Sequence, residues 1–237
     1  MVFTGLAVLG VRIGRTVSTT TDWICLAIAG LTGYLLADFI SGLVHWAGDT
    51  LGDTSTPFLG KNFIMPFRYH HVDPKDIARH DFIETNGNNC IVVLGPLSLA
   101  FLLLPSETGV LFFACTLAAF LSMFVVATNQ FHKWAHTDSP PRIAVALQRL
   151  GLILSKPHHD VHHTAPHHLH YCITVGWMNP VLNRIKFFRA AEALIGAVWP
   201  RILHLEERTR AAAAAAAEGT VAVVVTPAPE SGGVQPI

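Results

Sequence analysis

The chain has 237 residues, 51% of them hydrophobic and 14% charged, and its sixteen Lys and Arg are balanced by sixteen Asp and Glu. That is too apolar for an ordinary soluble domain and points to a membrane protein; zero net charge leaves no electrostatic case for nucleic acid. The four cysteines (Cys25, Cys90, Cys115, Cys172) are isolated, with no CxxC or iron–sulfur spacing and no haem or flavin motif nearby, so any electrons must come from a separate protein.

Residues 1–21 form a short apolar run broken by Arg12 and Arg15. The order is not that of a signal peptide, whose positive residues come first, and the segment is expected to be a mobile or interfacial N-terminus. Residues 23–44 are uncharged except for Asp38 and long enough to cross a bilayer. Continued as helix, Asp38, His45 and Asp49 fall within about 20° of one line. A carboxylate inside such a helix is a functional hypothesis by default.

Residues 51–89 are polar and punctuated by Pro57, Pro66 and Pro74. They carry F67-R-Y-H70-H71-V-D73-P and R79-H80-D81-F-I-E84-T-N86-G; helical geometry would put His80 and Glu84 on one face. Residues 90–104 are apolar but short for a crossing unless the helix begins near Asn86, whereas residues 110–128 make a full second span. The latter runs into N129-Q-F-H132-K-W-A-H136, where i, i+4 spacing lets two rings grip one ion. Residues 142–155 are too short and polar to cross and read as an interfacial helix. The amphipathic, basic stretch 179–200 suits the same interface. The domain is expected to span residues 22–205, followed by a low-complexity tail, 206–237.

The densest signal is K156-P-H158-H159-D-V-H162-H163-T-A-P-H167-H168-L-H170-Y171. Pro157 suits the first turn of a helix and Pro166 ends it. Between them His159, His162 and His163 share about a third of the circumference, which aims three imidazoles at one place. A histidine tag would not be interrupted by Asp, Val and two prolines, nor lie in mid-chain. Asp160, Asp81, Glu84 and Asn129 are candidates to orient ligand rings; helix capping or loop hydrogen bonding is the competing reading for all four. Phe39, Trp46, Phe131 and Trp134 either line an acyl-chain slot or are ordinary packing.

The spans place every candidate ligand on one face of the membrane. The first delivers His45, the hairpin through residues 90–128 leaves and returns there, and residues 142–155 do not cross. All Lys and Arg except Arg12 and Arg15 lie on that face, which the positive-inside rule makes cytoplasmic. Of fourteen histidines only His204 lies outside residues 45–170. That is more than one zinc site needs and fits a dinuclear iron centre that activates O2; zinc hydrolysis and copper handling remain alternatives. A non-catalytic metal transporter or sensor would show a polar pathway through the spans, where only Asp38 qualifies. The expected fold is all-α, a polytopic membrane helical bundle with a histidine-rich di-iron cap on its cytoplasmic side.

Six runs in order between residues 37 and 192 resemble the plasmanylethanolamine desaturase family: D38-F-I-S-G-L-V-H45-W-A-G-D49-T, F67-R-Y-H70-H71-V-D73-P, R79-H80-D81-F-I-E84-T-N86-G-N-N, N129-Q-F-H132-K-W-A-H136-T, K156-P-H158-H159-D-V-H162-H163 and Y171-C-I-T-V-G-W. A chloroplast lipid desaturase acting on phosphatidylglycerol is similar more distantly. The resemblance implies two iron ions and O2, a 1-O-alkyl membrane phospholipid as substrate, a vinyl ether as product, and an external electron donor of the cytochrome b5 or ferredoxin type. It carries over His45, Asp49, His70, His71, His80, His132, His136, His158, His159, His162 and His163 as metal ligands. Asp49 stands where an HxxxH box would have a second histidine. His167 fits less well, His168 and His170 are additional to the pattern, and His204 lies outside it. An acyl-lipid desaturase or hydroxylase on the same core is the runner-up.

Overall fold

The structure is a computed structural model that describes residues 1–103, 109–199 and 202–203. The tail 206–237 and His204 lie outside the described residues. Every element among the described residues is a helix, and the β pairing is confined to an isolated bridge between Leu51 and Leu203. In order these are α1 (Val2–Thr16), α2 (Thr20–Thr50), a π-helical turn (Gly60–Ile64) running into α3 (Met65–Val72), α4 (Asp76–Arg79), α5 (Phe82–Val92), α6 (Leu94–Leu103), α7 (Gly109–His136), α8 (Arg142–Arg149), α9 (Lys156–Asp160), α10 (Met178–Arg184) and α11 (Phe187–Val198).

Two of these helices, α2 and α7, are long and apolar enough to cross a membrane. The start of α2 is set by a capping box in which Thr19 and Asp22 satisfy each other's backbone N–H, an arrangement that contributes about 0.5–2 kcal/mol. The two helices run in the same direction: Gly30 and Gly33 lie against Phe120 and Leu121, Tyr34 against Phe124, and His45 against His132. A Cβ on Gly33 would come within 2.9 Å of the Leu121 backbone nitrogen, so the crossing requires a glycine there. Parallel packing brings both C-terminal ends, with their histidines, to the same end of the molecule.

The return leg is α5 and α6, antiparallel to α7. Thr85 O accepts from Asn129 Nδ2, Val125 O accepts from Asn89 Nδ2, and Cys115 Sγ contacts Ala100 O. The leg begins at Phe82, four residues before Asn86. It breaks at Val93 because Pro96 has no N–H to continue the ladder. His80 therefore sits in the link between α4 and α5, not on a shared face with Glu84.

The N-terminal segment differs from expectation. It is a helix, with Val2, Leu9 and Ile13 buried and Leu6 partly buried against Val93, Leu97, Phe112 and Cys115. Their 4-3-4 spacing makes an apolar stripe, with the exposed Arg12 and Arg15 on the opposite side. The two arginines interrupt the apolar run along the sequence but not its helical periodicity. Likewise α8 stops at Arg149, because Gly151 (φ +67) enables Leu152 N–H to bond back to Leu147 O in a Schellman closure. The amphipathic stretch after it is two helices, α10 and α11, broken where Lys186 takes φ +55.

Candidate metal centre

Four segments converge where α2 and α7 end. The last turns of α2 supply His45 and Asp49, the end of α3 supplies His70 and His71, and the last turns of α7 supply His132 and His136. The fourth segment is α9 and the turn after it, with His159, His162 and His163. These side chains sort into two adjoining groups. The first is His70, His132, His136, His159 and His163; the second is His45, Asp49, His71 and His162; within each the candidate ligand atoms lie within 4.8 Å of one another. Vicinal histidines divide between them, His70 from His71 and His162 from His163, because successive residues on a helical turn point about 100° apart. The triplet His159, His162 and His163 thus straddles two places instead of serving one. The groups abut, with ring centroids 5.2 Å apart for His71 and His163 and 5.6 Å for His159 and His162.

The first group cannot be satisfied by hydrogen bonds alone. His132 Nε2 lies 3.1, 2.8 and 3.1 Å from the Nε2 atoms of His70, His159 and His136, and His163 Nε2 lies 3.1 Å from that of His159. An imidazole nitrogen carries one hydrogen or one lone pair, so it cannot serve three partners. For nitrogens at about 2.1 Å from one ion, neighbours are about 3.0 Å apart at right angles and about 3.4 Å apart in a tetrahedron. Protonation is no escape. Burial, and then the neighbouring imidazoles, push His70 and His163 down to about 2, so these rings are presented neutral, as metal ligands must be.

The second group is argued from tautomers. His45 Nδ1 lies 3.2 Å from Tyr171 O and His162 Nδ1 lies 2.8 Å from Leu169 O. A carbonyl only accepts, so both Nδ1 atoms carry the hydrogen and both Nε2 atoms carry lone pairs. Those lone pairs face Asp49 Oδ2 at 3.6 and 3.4 Å, and neither Nε2 finds a hydrogen-bond partner. Asp49 Oδ1 is likewise without one, while Oδ2 is 3.0 Å from His71 Nε2. Burial pushes the His162 ring below its ordinary range, which keeps it neutral. Each buried polar atom left unpaired costs about 1–3 kcal/mol. Several aimed at one point have a common remedy in a cation. Eight imidazoles and one carboxylate are a donor set that suits iron, and also copper or zinc.

Nine expected ligands are thus brought together, and two are not. The ring of His80 bonds Asp76 at 3.2 Å, and its carbonyl accepts from Lys133. His158 stacks on His170 and accepts from Asn179 Nδ2 at 3.1 Å. Nor do the four expected ring-orienting residues bond to a ring. Asp160 is exposed and pairs with Lys156, Asp81 and Glu84 form the capping box of α5, and Asn129 ties α7 to α5 through Thr85 O and Asn89 Oδ1. Capping, the competing reading, is what the geometry shows for Asp81 and Glu84, whereas Asp160 makes an ion pair and Asn129 a bond between helices. His167 flanks the second group, 4.5 Å from the His71 ring, without joining it. The groups that do orient rings, the carbonyls of Leu169 and Tyr171, have no side-chain signature and could not be read from sequence. Phe39 packs on Phe187, Trp46 on Phe188 and Phe131 beside Trp134.

Residues 34–201 match the family described as a lipid desaturase domain, a range that contains every member of both groups. The chain is 56% identical over 174 residues to plasmanylethanolamine desaturase of Myxococcus xanthus, covering 73% of this chain and 61% of that protein. It is 48% identical over 176 residues to plasmanylethanolamine desaturase 1 of Mus musculus, covering 72% and 65%. Fatty acid desaturase 4, chloroplastic, of Arabidopsis thaliana is 40% identical over 196 residues, 79% of this chain and 58% of that protein. The chain therefore spans under two thirds of the length of these relatives. No solved structure matches it.

Proposed function

This chain belongs to the lipid desaturase domain family, and from that membership we propose that it is an O2-dependent di-iron desaturase. It would convert a 1-O-alkyl (plasmanyl) phospholipid to the vinyl-ether (plasmenyl) form. The observation that carries this is the pair of adjoining ligand groups, one of five imidazoles and one of three imidazoles and a carboxylate. The substrate bond is an unactivated C–H, beyond general acid–base chemistry, and iron held there would supply the oxygen activation such a bond needs. The protein's own part is to bind and orient. His70, His132, His136, His159 and His163 would hold one ion, and His45, Asp49, His71 and His162 the other. Asp49 adds the one anionic ligand. Because His45, His159 and His162 have no exposed surface, water is kept from the ligand atoms, which protects the site from side reactions.

We infer a multi-pass bundle in which α2, the α5–α6 leg and α7 cross the bilayer, with the site on the cytoplasmic side. The two spanning-length helices and the distribution of Lys and Arg support this. Reducing equivalents would come from a cytochrome b5 or ferredoxin type of donor, since the four cysteines include no cluster-binding motif.

The likeness to a chloroplast fatty acid desaturase favours a second reading, an acyl-lipid desaturase on the same centre. Lipid extracts of cells that lack plasmalogens decide between them. On expression with oxygen, acid-labile vinyl ethers are expected, and new acyl double bonds without vinyl ethers would replace the first reading with the second.

A further inference from the structure

Six consecutive residues, 171–176, are buried yet form neither helix nor strand. Buried irregular backbone must find partners for its N–H and C=O groups, all the more where a bilayer offers no water. Here side chains supply them. Asp38 is fully buried in α2, and its Oδ1 accepts from the N–H groups of Thr174, Val175 and Gly176 at 3.2, 2.9 and 2.8 Å. Its Oδ2 accepts from Met178 N–H at 3.0 Å. Ser41 Oγ accepts from Ile173 N–H at 3.0 Å, and Asn179 bonds both the N–H and the carbonyl of Cys172, at 2.8 and 2.9 Å. Gly176 (φ +83) sits so close to His158 that a Cβ would come within 2.4 Å of its Nε2, so the chain is held tightly at that end too.

This pinned segment begins with the carbonyl of Tyr171, and the carbonyl of Leu169 lies two residues before it. They receive the Nδ1 hydrogens of His162 and His45 and so direct both Nε2 lone pairs at Asp49. The Nε2 contacts of the first group, by contrast, run among its own rings. Asp38 lies two helical turns before His45 on the same face of α2, which is why one carboxylate can anchor the segment that orients that ring.

We propose that Asp38 is a positioning residue for the second ligand group. By gathering four backbone N–H groups it fixes the segment that carries the Tyr171 carbonyl, which sets the tautomer of His45, and that begins two residues after Leu169, whose carbonyl sets that of His162; the first group does not depend on it. The inference rests on reading both groups as metal sites, and its test separates the two. Purified full-length protein in detergent is stripped, reloaded with Fe(II) under anaerobic conditions and titrated with a competing chelator, reading the affinity of each ion and the magnetic coupling between them.

Wild type is expected to take up two ions. Asp38→Asn is expected to hold the first as tightly as wild type and the second about 10–100-fold more weakly, with the coupling lost. Unchanged affinity for both ions, or equal weakening of both, overturns the role of Asp38. A wild-type protein that takes up fewer than two ions overturns the two-site reading itself, and the inference with it. If Asp38→Asn does not accumulate, Ser41→Ala decides. That variant removes the bond from Ile173 N–H and the one Ser41 Oγ donates to the Asp38 carbonyl, leaving the Asp38 carboxylate in place; selective weakening of the second ion supports the proposal, and the absence of any selectivity ends it.

Discussion

The two ligand groups are built by different means. The first comes almost wholly from helical repeats: His132 and His136 are i, i+4 on α7, His159 and His163 are i, i+4 across the end of α9, and His70 closes the ring. The second has one such pair, His45 and Asp49, while His71 and His162 arrive as the odd neighbours of first-group ligands. It alone contains a carboxylate, and two carbonyls of irregular backbone, those of Leu169 and Tyr171, orient two of its rings. A local pattern thus pairs four of the five residues of the first group, two on α7 and two at α9, and long-range contacts are needed to join those pairs and to finish the second group.

The largest effects should break this contrast outright. His132→Ala removes the Nε2 that touches three others; desaturation in membranes should fall below detection and the first ion should be lost with the chain still inserted. Retained activity would remove His132 from the ligand set. Asp49→Asn should abolish product as well, but metal analysis should show the first ion in place. Loss of both ions would mean that the groups form one cooperative unit.

Smaller effects sharpen the comparison. Stripping the metal should leave the protein acid-sensitive. His70 and His163 are held down in the folded state, so below about pH 6.5 the unfolded chain binds more protons than the folded one, and stability falls as pH falls. Thermal melts of stripped protein that do not shift between pH 7.5 and 5.5 would contradict neutral, buried rings. Next, His158→Ala should keep both ions while costing about 1 kcal/mol through the lost Asn179 bond, seen as a lower melting temperature. Least of all, His80→Ala should leave metal content and turnover within about twofold of wild type, since its partner Asp76 is a half-exposed carboxylate of α4. A lost ion there would restore His80 to the ligands.

Much of this molecule is legible in its sequence. The two helices of spanning length, the helical class and the nine residues of the two groups follow from hydropathy and from histidine spacings that a helix turns into shared faces. Where local periodicity governs it suffices, as in α1, whose apolar stripe persists past Arg12 and Arg15. What tertiary structure decided is the division of nine residues between two groups, the placement of His80 and His158 outside both, and the bonds of Asp38 to the backbone of residues 174–178. The reason is physical. A spacing fixes which side chains share a face, but not which distant segment that face meets, and backbone carbonyls and N–H groups, identical at nearly every residue, acquire a role only when the fold aims them.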